Sequence, residues 1–179
     1  PLRARERRRG RYYIRDNFLR SLLAALHSAV SAVAFRPEEL LVAQAGARLA
    51  DAEGHGLERL AARLYEERSR KGVGDFALTH RVEGYWDRKD TELDLVALDE
   101  ERRVIRFGSC KRRKELLLPD VAAQEGHVRR FLAAHKRFAA WRVERVAIAP
   151  VIAPDLRAEL GARGVLAEDL NDLVEGLSP

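Results

Sequence analysis

The stretch "TELDLVALDEERRVIRFGSCK" (residues 91–111) decides the fold. Read at a period of two, "TELDLVAL" (91–98) and "RVIRFGSCK" (103–111) are strands, and "DEER" (99–102) is the polar turn between them. Upstream, "FALTHRVEGYW" (76–86) is also extended, so three strands with short connections predict an antiparallel meander. Alternation places Ile105, Phe107, Ser109 and Lys111 on one face of the last strand, and Glu92 with Asp94 on one face of the strand before it. Asp94 interrupts the apolar residues Leu93, Leu95, Val96, Ala97 and Leu98. Lys111 ends an apolar strand two residues after a small hydroxyl, where phosphate chemistry would call for a carboxylate.

On the C-terminal side, Pro119 and Asp120 open a helix with Val121, Val128, Phe131, Leu132 and His135 on its inner side. "VERVAIAPVIA" (143–153) is dense in β-branched residues and reads as a buried strand. A short helix from Pro154 and the segment "VLAEDLNDLVEGL" follow. On the N-terminal side, "LERLAARLYEERSRKG" is a helix with Leu57, Leu60, Ala61, Leu64 and Tyr65 as its buried stripe and Gly72 at its end. The breakers of "DAEGHG" (51–56) predict a loop before it. Pro37 opens another helix over roughly 38–51. Asp16 or Asn17 caps a first helix whose apolar positions are Phe18, Leu22, Leu26, Val30 and Val33. Strands, a crossover helix and a further strand make an α/β fold, a mixed sheet flanked by helices with a helical N-terminal segment. Residues 1–17 read as a basic linker or wing remnant, 18–51 as the helical segment and 52–179 as the main domain.

At 179 residues and 46% hydrophobic, the chain can bury one substantial core. It has no apolar run of bilayer length and no signal-peptide pattern, so no membrane contact and a cytoplasmic location are the plain expectation. The single cysteine, Cys110, rules out an internal disulfide and a thiolate metal cluster, and it reads as a small buried hydrophobe. A chain that starts at Pro1 and holds no methionine reads as a piece of something longer. The net charge of +5 is concentrated: Arg3, Arg5, Arg7, Arg8, Arg9, Arg11, Arg15 and Arg20 crowd the start, and Lys111, Arg112, Arg113 and Lys114 form a second cluster. Each cluster alone is an ordinary solvated face. Two of them beside a phosphate-chemistry site point to DNA or RNA, with DNA the expected partner and Arg8, Arg9, Arg11, Arg112, Arg113 and Lys114 as contacts.

A helix glutamate (Glu58), a strand aspartate (Asp94) and a lysine on the adjacent strand (Lys111) have a common physical use. Carboxylates hold Mg²⁺ or Mn²⁺ through hard oxygens, the ion polarises a phosphate and acidifies a bound water, and the lysine offsets developing charge. "GHGLERLAARLYEE", "YWDRKDTELDLVALDEE" and "VIRFGSCKRR" together resemble the core of the PD-(D/E)xK nuclease superfamily. More narrowly they resemble the C-terminal domain of the DUF234 type fused to P-loop ATPases, and "RYYIRDNFLR" is similar to the segment leaving the winged helix there. The resemblance covers the chain from about residue 10 onward. It implies a restriction-endonuclease-like core, an upstream ATPase domain as partner, and Glu58, Asp94 and Lys111 as the catalytic set. With no GxxxxGK[ST] motif, the chain binds no nucleotide of its own in this reading.

The departure is Ser109, which stands where the resemblance implies the glutamate of ExK. A neutral hydroxyl in place of a carboxylate weakens a partly desolvated metal site by several kcal/mol, roughly a thousandfold. Three functions follow: a nucleic-acid-binding, nuclease-like domain with an impaired or inactive metal site; an active Mg²⁺- or Mn²⁺-dependent DNA endonuclease with Glu92 or Glu58 as substitute ligand; or an interaction module serving the ATPase. Bland readings stand beside these: Asp94 paired structurally with Lys111, Glu58 placed by the helix dipole, Lys111 as the first residue of a solvated run. His27, His55, His80, His127 and His135 lack metal-ligand spacing, and His127 and His135, two helical turns apart, pack or cap. Gln124 lies on the helix where the resemblance implies an occasional site-supporting residue. Tyr85 and Trp86, which could stack on a base, read as core or rim.

Overall fold

The computed structural model describes residues 19, 22, 23, 25–87 and 90–177, and of 50–54 the backbone alone. The chain divides into two compact units, Pro1–Gly56 and Leu57–Pro179. In the first, helix α1 (His27–Ala32) packs against the opening turns of α2 (Glu38–Lys71) through Ala29, Ala32, Leu41 and Ala45. The packed face of α1 is therefore alanine, and the larger Leu22, Leu26, Val30 and Val33 are exposed. Small side chains let two helices approach closely, which explains why the alanine row packs and the bulkier row faces outward.

Helix α2 corrects one expectation. Residues 51–56, read as a loop, are helical, so the two helices predicted on either side are one of 34 residues. Each glycine in a helix costs only about 1 kcal/mol against alanine, and strong helix formers on both sides outweigh Gly54 and Gly56. Gly72, at φ 66°, ends the helix as expected, since the left-handed conformation costs glycine nothing.

In the second unit, β1 (Glu83–Trp86), β2 (Glu92–Asp99) and β3 (Val104–Cys110) form the antiparallel meander. A 3₁₀ turn (Lys114–Leu116) and helix α3 (Leu117–Ala134) then carry the chain to β4 (Arg142–Ala149), parallel to β3. Helix α4 (Pro154–Ala162), strand β5 (Leu166–Asp169) and the short α5 (Leu170–Val174) complete a mixed five-stranded sheet in the order β1-β2-β3-β4-β5. Strand β1 is shorter than the predicted 76–86, and its register shifts between Glu83 and Tyr85. The residues before it are held by single bonds, such as Thr79 N–H to the Leu98 carbonyl at 2.9 Å, and not by a ladder. β5 lies in a segment to which the sequence pattern assigns no strand. No helix among the described residues is long and apolar enough to cross a membrane.

β3 is the middle strand, and all seven of its residues are buried. One face of the sheet (Leu95, Ala97, Val104, Cys110, Val146, Ile148) packs on Leu57, Ala61 and Tyr65 of α2. Leu60, which the helical period assigns to that stripe, is exposed. The other face meets α3 and α4: Ala147 and Ala149 lie against Leu117, Val121 and Leu160, and Phe107 meets Phe131 edge-on at 5.2 Å. The buried row of α3 is Leu117, Val121, Gln124, Val128 and Phe131.

The α2 face also holds a charge. Arg106, 1% exposed, gives two bonds to Asp75 (Nη2–Oδ2 2.6 Å, Nη1–Oδ1 3.2 Å) and one from Nε to Glu144 Oε2 at 2.9 Å. Its guanidinium lies 4.6 Å from the Phe76 ring centre, and Tyr65, which donates to Glu168, stands beside it. Burial alone would lower the Arg106 pKa, but its bonds to Asp75 and the neighbouring Tyr65 outweigh that and raise it. Bonding to Arg106 in turn lowers the pKa of Asp75, against a smaller opposing effect of burial. A carboxylate with a depressed folded-state pKa contributes stability above its unfolded value, and that contribution is lost as pH falls through the folded value.

Arg106→Met, which removes the guanidinium that Asp75, Glu144 and Glu168 share, is expected to cost about 3–5 kcal/mol at pH 7. In urea denaturation the gap from wild type should narrow as pH falls below about 4, where Asp75 protonates through its depressed folded value. Gly108 faces Leu95 across the strand pair, and a Cβ there would lie 2.9 Å from Leu95 Cβ. Gly108→Ala should therefore destabilise by about 1–3 kcal/mol in the same measurement.

Candidate functional site

The start of β2 and the end of β3 lie together because the two strands run antiparallel. Carrying their register one residue past the Leu95–Gly108 pair sets Asp94 opposite Ser109, both facing α3. Past Cys110 the ladder to β2 has ended, although Lys111 N–H still reaches the Ile148 carbonyl of β4 at 2.9 Å. Asp94 takes over the vacated place: its Oδ2 accepts the Cys110 N–H and the Lys111 ammonium, each at 2.9 Å. Lys111 Nζ also reaches Asp120 Oδ1 at 3.2 Å, and Ser109 Oγ donates to Asp120 Oδ2. Asp120 sits in the first turn of α3, where the helix dipole favours a carboxylate.

Four side chains from β2, β3, the residue just past β3 and α3 thus form an open chain of contacts, Asp94–Lys111–Asp120–Ser109. With two carboxylates and one ammonium it carries a formal charge of −1. Burial would lower the Lys111 pKa, but Asp94, by charge and hydrogen bond, and then Asp120 more than reverse this, so the ammonium is held above its ordinary range. Cys110 points to the α2 face and is buried, as expected. Burial, then Asp94 and Glu58, push its thiol well up against the opposing pull of Lys111, so it is no nucleophile at neutral pH.

Of the residues anticipated from sequence, Asp94 and Lys111 are in direct contact. Glu58, on α2, is near enough to act on the Cys110 thiol electrostatically. Glu92 opens β2 with an exposed side chain, and its backbone N–H donates to His127 Nδ1 at 3.0 Å. Asp94, Glu58 and Glu92 do not form a three-ligand group; among the described residues no three His, Cys, Asp or Glu side chains gather closely enough to hold a metal. Arg112, Arg113 and Lys114 are exposed just past Lys111, while Arg8, Arg9 and Arg11 lie outside the described residues.

His127 and His135 behave as packing and capping residues. His127 Nδ1 also faces Arg130 Nη2 at 3.1 Å, and His135 stacks on Phe131 at 4.2 Å with Nδ1 beside the Phe131 carbonyl. Tyr85 is buried, edge-on to Phe131 at 4.8 Å, and Trp86 is half-buried. These contacts fit the core-or-rim reading.

Two residues give the site features that strand patterns do not reveal. Asp120 reads in the sequence only as a helix opener, yet it meets both Ser109 and Lys111. Gln124, one turn further along α3, is 4% exposed, and both its Nε2 and Oε1 lack a hydrogen-bond partner. It is the one described residue with such orphaned buried side-chain atoms. Residues i and i+4 share a helix face, and helical side chains lean toward the N-terminus, so Gln124 leans toward Asp120.

No protein-family model, curated protein or solved structure matches the chain. An unsatisfied buried amide costs about 1–3 kcal/mol. Gln124→Met, similar in shape and free of that cost, should raise stability by about 1–2 kcal/mol in thermal or urea unfolding.

Proposed function

We propose that this chain is a nucleic-acid-binding, nuclease-like domain whose strand-borne metal site is one carboxylate short. The observation that carries the reading is Lys111 held against Asp94 at the shared end of β2 and β3, with exposed Arg112, Arg113 and Lys114 directly after it. The resemblance of the same residues to a PD-(D/E)xK core supports it. Lys111 is 25% exposed, so its ammonium can turn to an incoming phosphate. The basic run beyond it supplies contacts to neighbouring phosphates, which position a strand without reading its bases.

Hard carboxylate oxygens at this position suit Mg²⁺ or Mn²⁺, which proteins commonly hold through one or two carboxylates plus substrate phosphate. When bound, such an ion polarises the phosphate and acidifies a water. Asp94 is the ligand that β2 brings; Ser109 gives β3 only a neutral hydroxyl. The domain cuts DNA only if another carboxylate completes the set. DNA is the partner we assign, with a P-loop ATPase domain upstream in the full-length protein. A second reading, an interaction module for that ATPase, draws on the exposed Val30, Val33, Phe35, Leu40 and Val42 of the N-terminal unit.

Fluorescence anisotropy of a labelled duplex titrated at rising NaCl tests the first reading. Log affinity should fall linearly with log salt, and Arg112→Ala/Arg113→Ala/Lys114→Ala should flatten the slope by about 0.9 for each phosphate that is no longer neutralised. No binding at low salt would overturn it and leave the interaction module. Cleavage of supercoiled DNA in Mg²⁺ or Mn²⁺ that disappears in Lys111→Ala would show the site to be active and not impaired.

A further inference from the structure

We infer that helix α3 supplies the carboxylate that β3 lacks: Asp120, paired with Asp94, forms a divalent-cation site in which Lys111 is the place-holder. The inference rests on the nuclease-like reading for what the cation would do there, but not for its binding.

Ser109 is the first support. Its hydroxyl donates to Asp120 Oδ2, so an oxygen of Asp120 lies at the tip of the shortened strand side chain, within hydrogen-bond reach of it. A glutamate at 109 would compete with Asp120 for this space and repel it. The serine and the aspartate are therefore complementary: the strand side chain is short where the helix side chain reaches in.

Lys111 is the second. Its Nζ lies 2.9 Å from Asp94 Oδ2 and 3.2 Å from Asp120 Oδ1, so carboxylates from a strand and a helix already converge on one cationic atom. Mg²⁺–oxygen contacts are shorter, about 2.1 Å, so the cation requires the carboxylates to close in and the ammonium to move aside. Lys111 is partly exposed and unbranched, and it has room to do so.

Gln124 is the third and independent support, because it points to a ligand. An amide with both polar atoms buried and unpartnered, leaning toward Asp120 along the same helix face, matches the water shell that Mg²⁺ and Mn²⁺ retain. A coordinated water donates to Oε1, and Nε2 donates to a water or a phosphate oxygen. Two carboxylates with waters and phosphate are an ordinary complement for Mg²⁺, which seldom takes an all-protein cage.

The test is Mn²⁺ binding by the 179-residue chain, read by electron paramagnetic resonance of the free ion and by calorimetry, with no nucleic acid present. Wild type should bind one Mn²⁺. Asp120→Asn and Asp94→Asn should each weaken binding at least tenfold, and Asp120→Glu should keep most of it. Lys111→Met should bind more tightly than wild type, because the competing cation is gone. Glu125→Gln, an exposed change on the same helix, is the control. Circular dichroism on each variant separates loss of the site from loss of the fold. Absence of Mn²⁺ binding to wild type at millimolar concentration overturns the inference, as does a folded Asp120→Asn that binds like wild type. DNA affinity of the same proteins in EDTA is the separate readout. If it is absent while the Mn²⁺ pattern holds, the nucleic-acid reading fails and the cation site stands. If it is present while Asp120→Asn leaves Mn²⁺ unaffected, the reverse is true.

Discussion

Arg106 places a permanent positive charge in the middle of a sheet, 1% exposed. A guanidinium cannot give up its proton, so burial there is tolerable only if carboxylates are brought to it. Asp75 comes from the connection after α2 and Glu144 from β4, with Tyr65 of α2 and Glu168 of β5 beside them. Each belongs to a different element, so the demand for neutralisation fixes how α2, β3, β4 and β5 meet. Hydrophobic packing on that face tolerates small slides; the fixed fork of guanidinium donors does not.

The opposite face of the same strand carries the candidate chemistry. Alternation separates Arg106 of β3 from Lys111 just past its end: Arg106 turns to α2 and is enclosed, while Lys111 turns to α3. Arg106 has planar bidentate bonding and almost no solvent. Lys111 has a single ammonium atom, two carboxylates and partial exposure. The first arrangement resists change; in the site we propose, the second exchanges its ammonium for a divalent cation. A rigid strand whose charged end stays adjustable suits the phosphate-binding role proposed for it.

Much of this is legible in the residues. The period of two in 91–111 places β2 and β3, and with them Asp94, Ser109 and Lys111 on one face. The β-branched run at 143–149 places β4. Where local patterns are weak or ambiguous, the reading falls short. The glycines of 51–56 look like a loop when local breakers are weighed without the helix formers around them. β5 is hidden because four residues, two of them acidic, carry little strand signal. It is secured by Asp169, which caps α5, exchanges bonds with Asp172 and binds Arg157 of α4. Asp120 is invisible as a site residue because its partners Ser109 and Lys111 come from another element, and only the packing of α3 on the sheet brings them together.

The sheet's two borders have a consequence for how this chain behaves among its own copies. β1 is four residues long with a register shift in its pairing, and β5 is four residues ending in Glu168 and Asp169. A foreign strand docking at either border would find too few consecutive backbone groups in line. The longer strands with the most apolar residues, β2, β3 and β4, are all interior. The protein thus keeps its most adhesive segments where no second chain can pair with them.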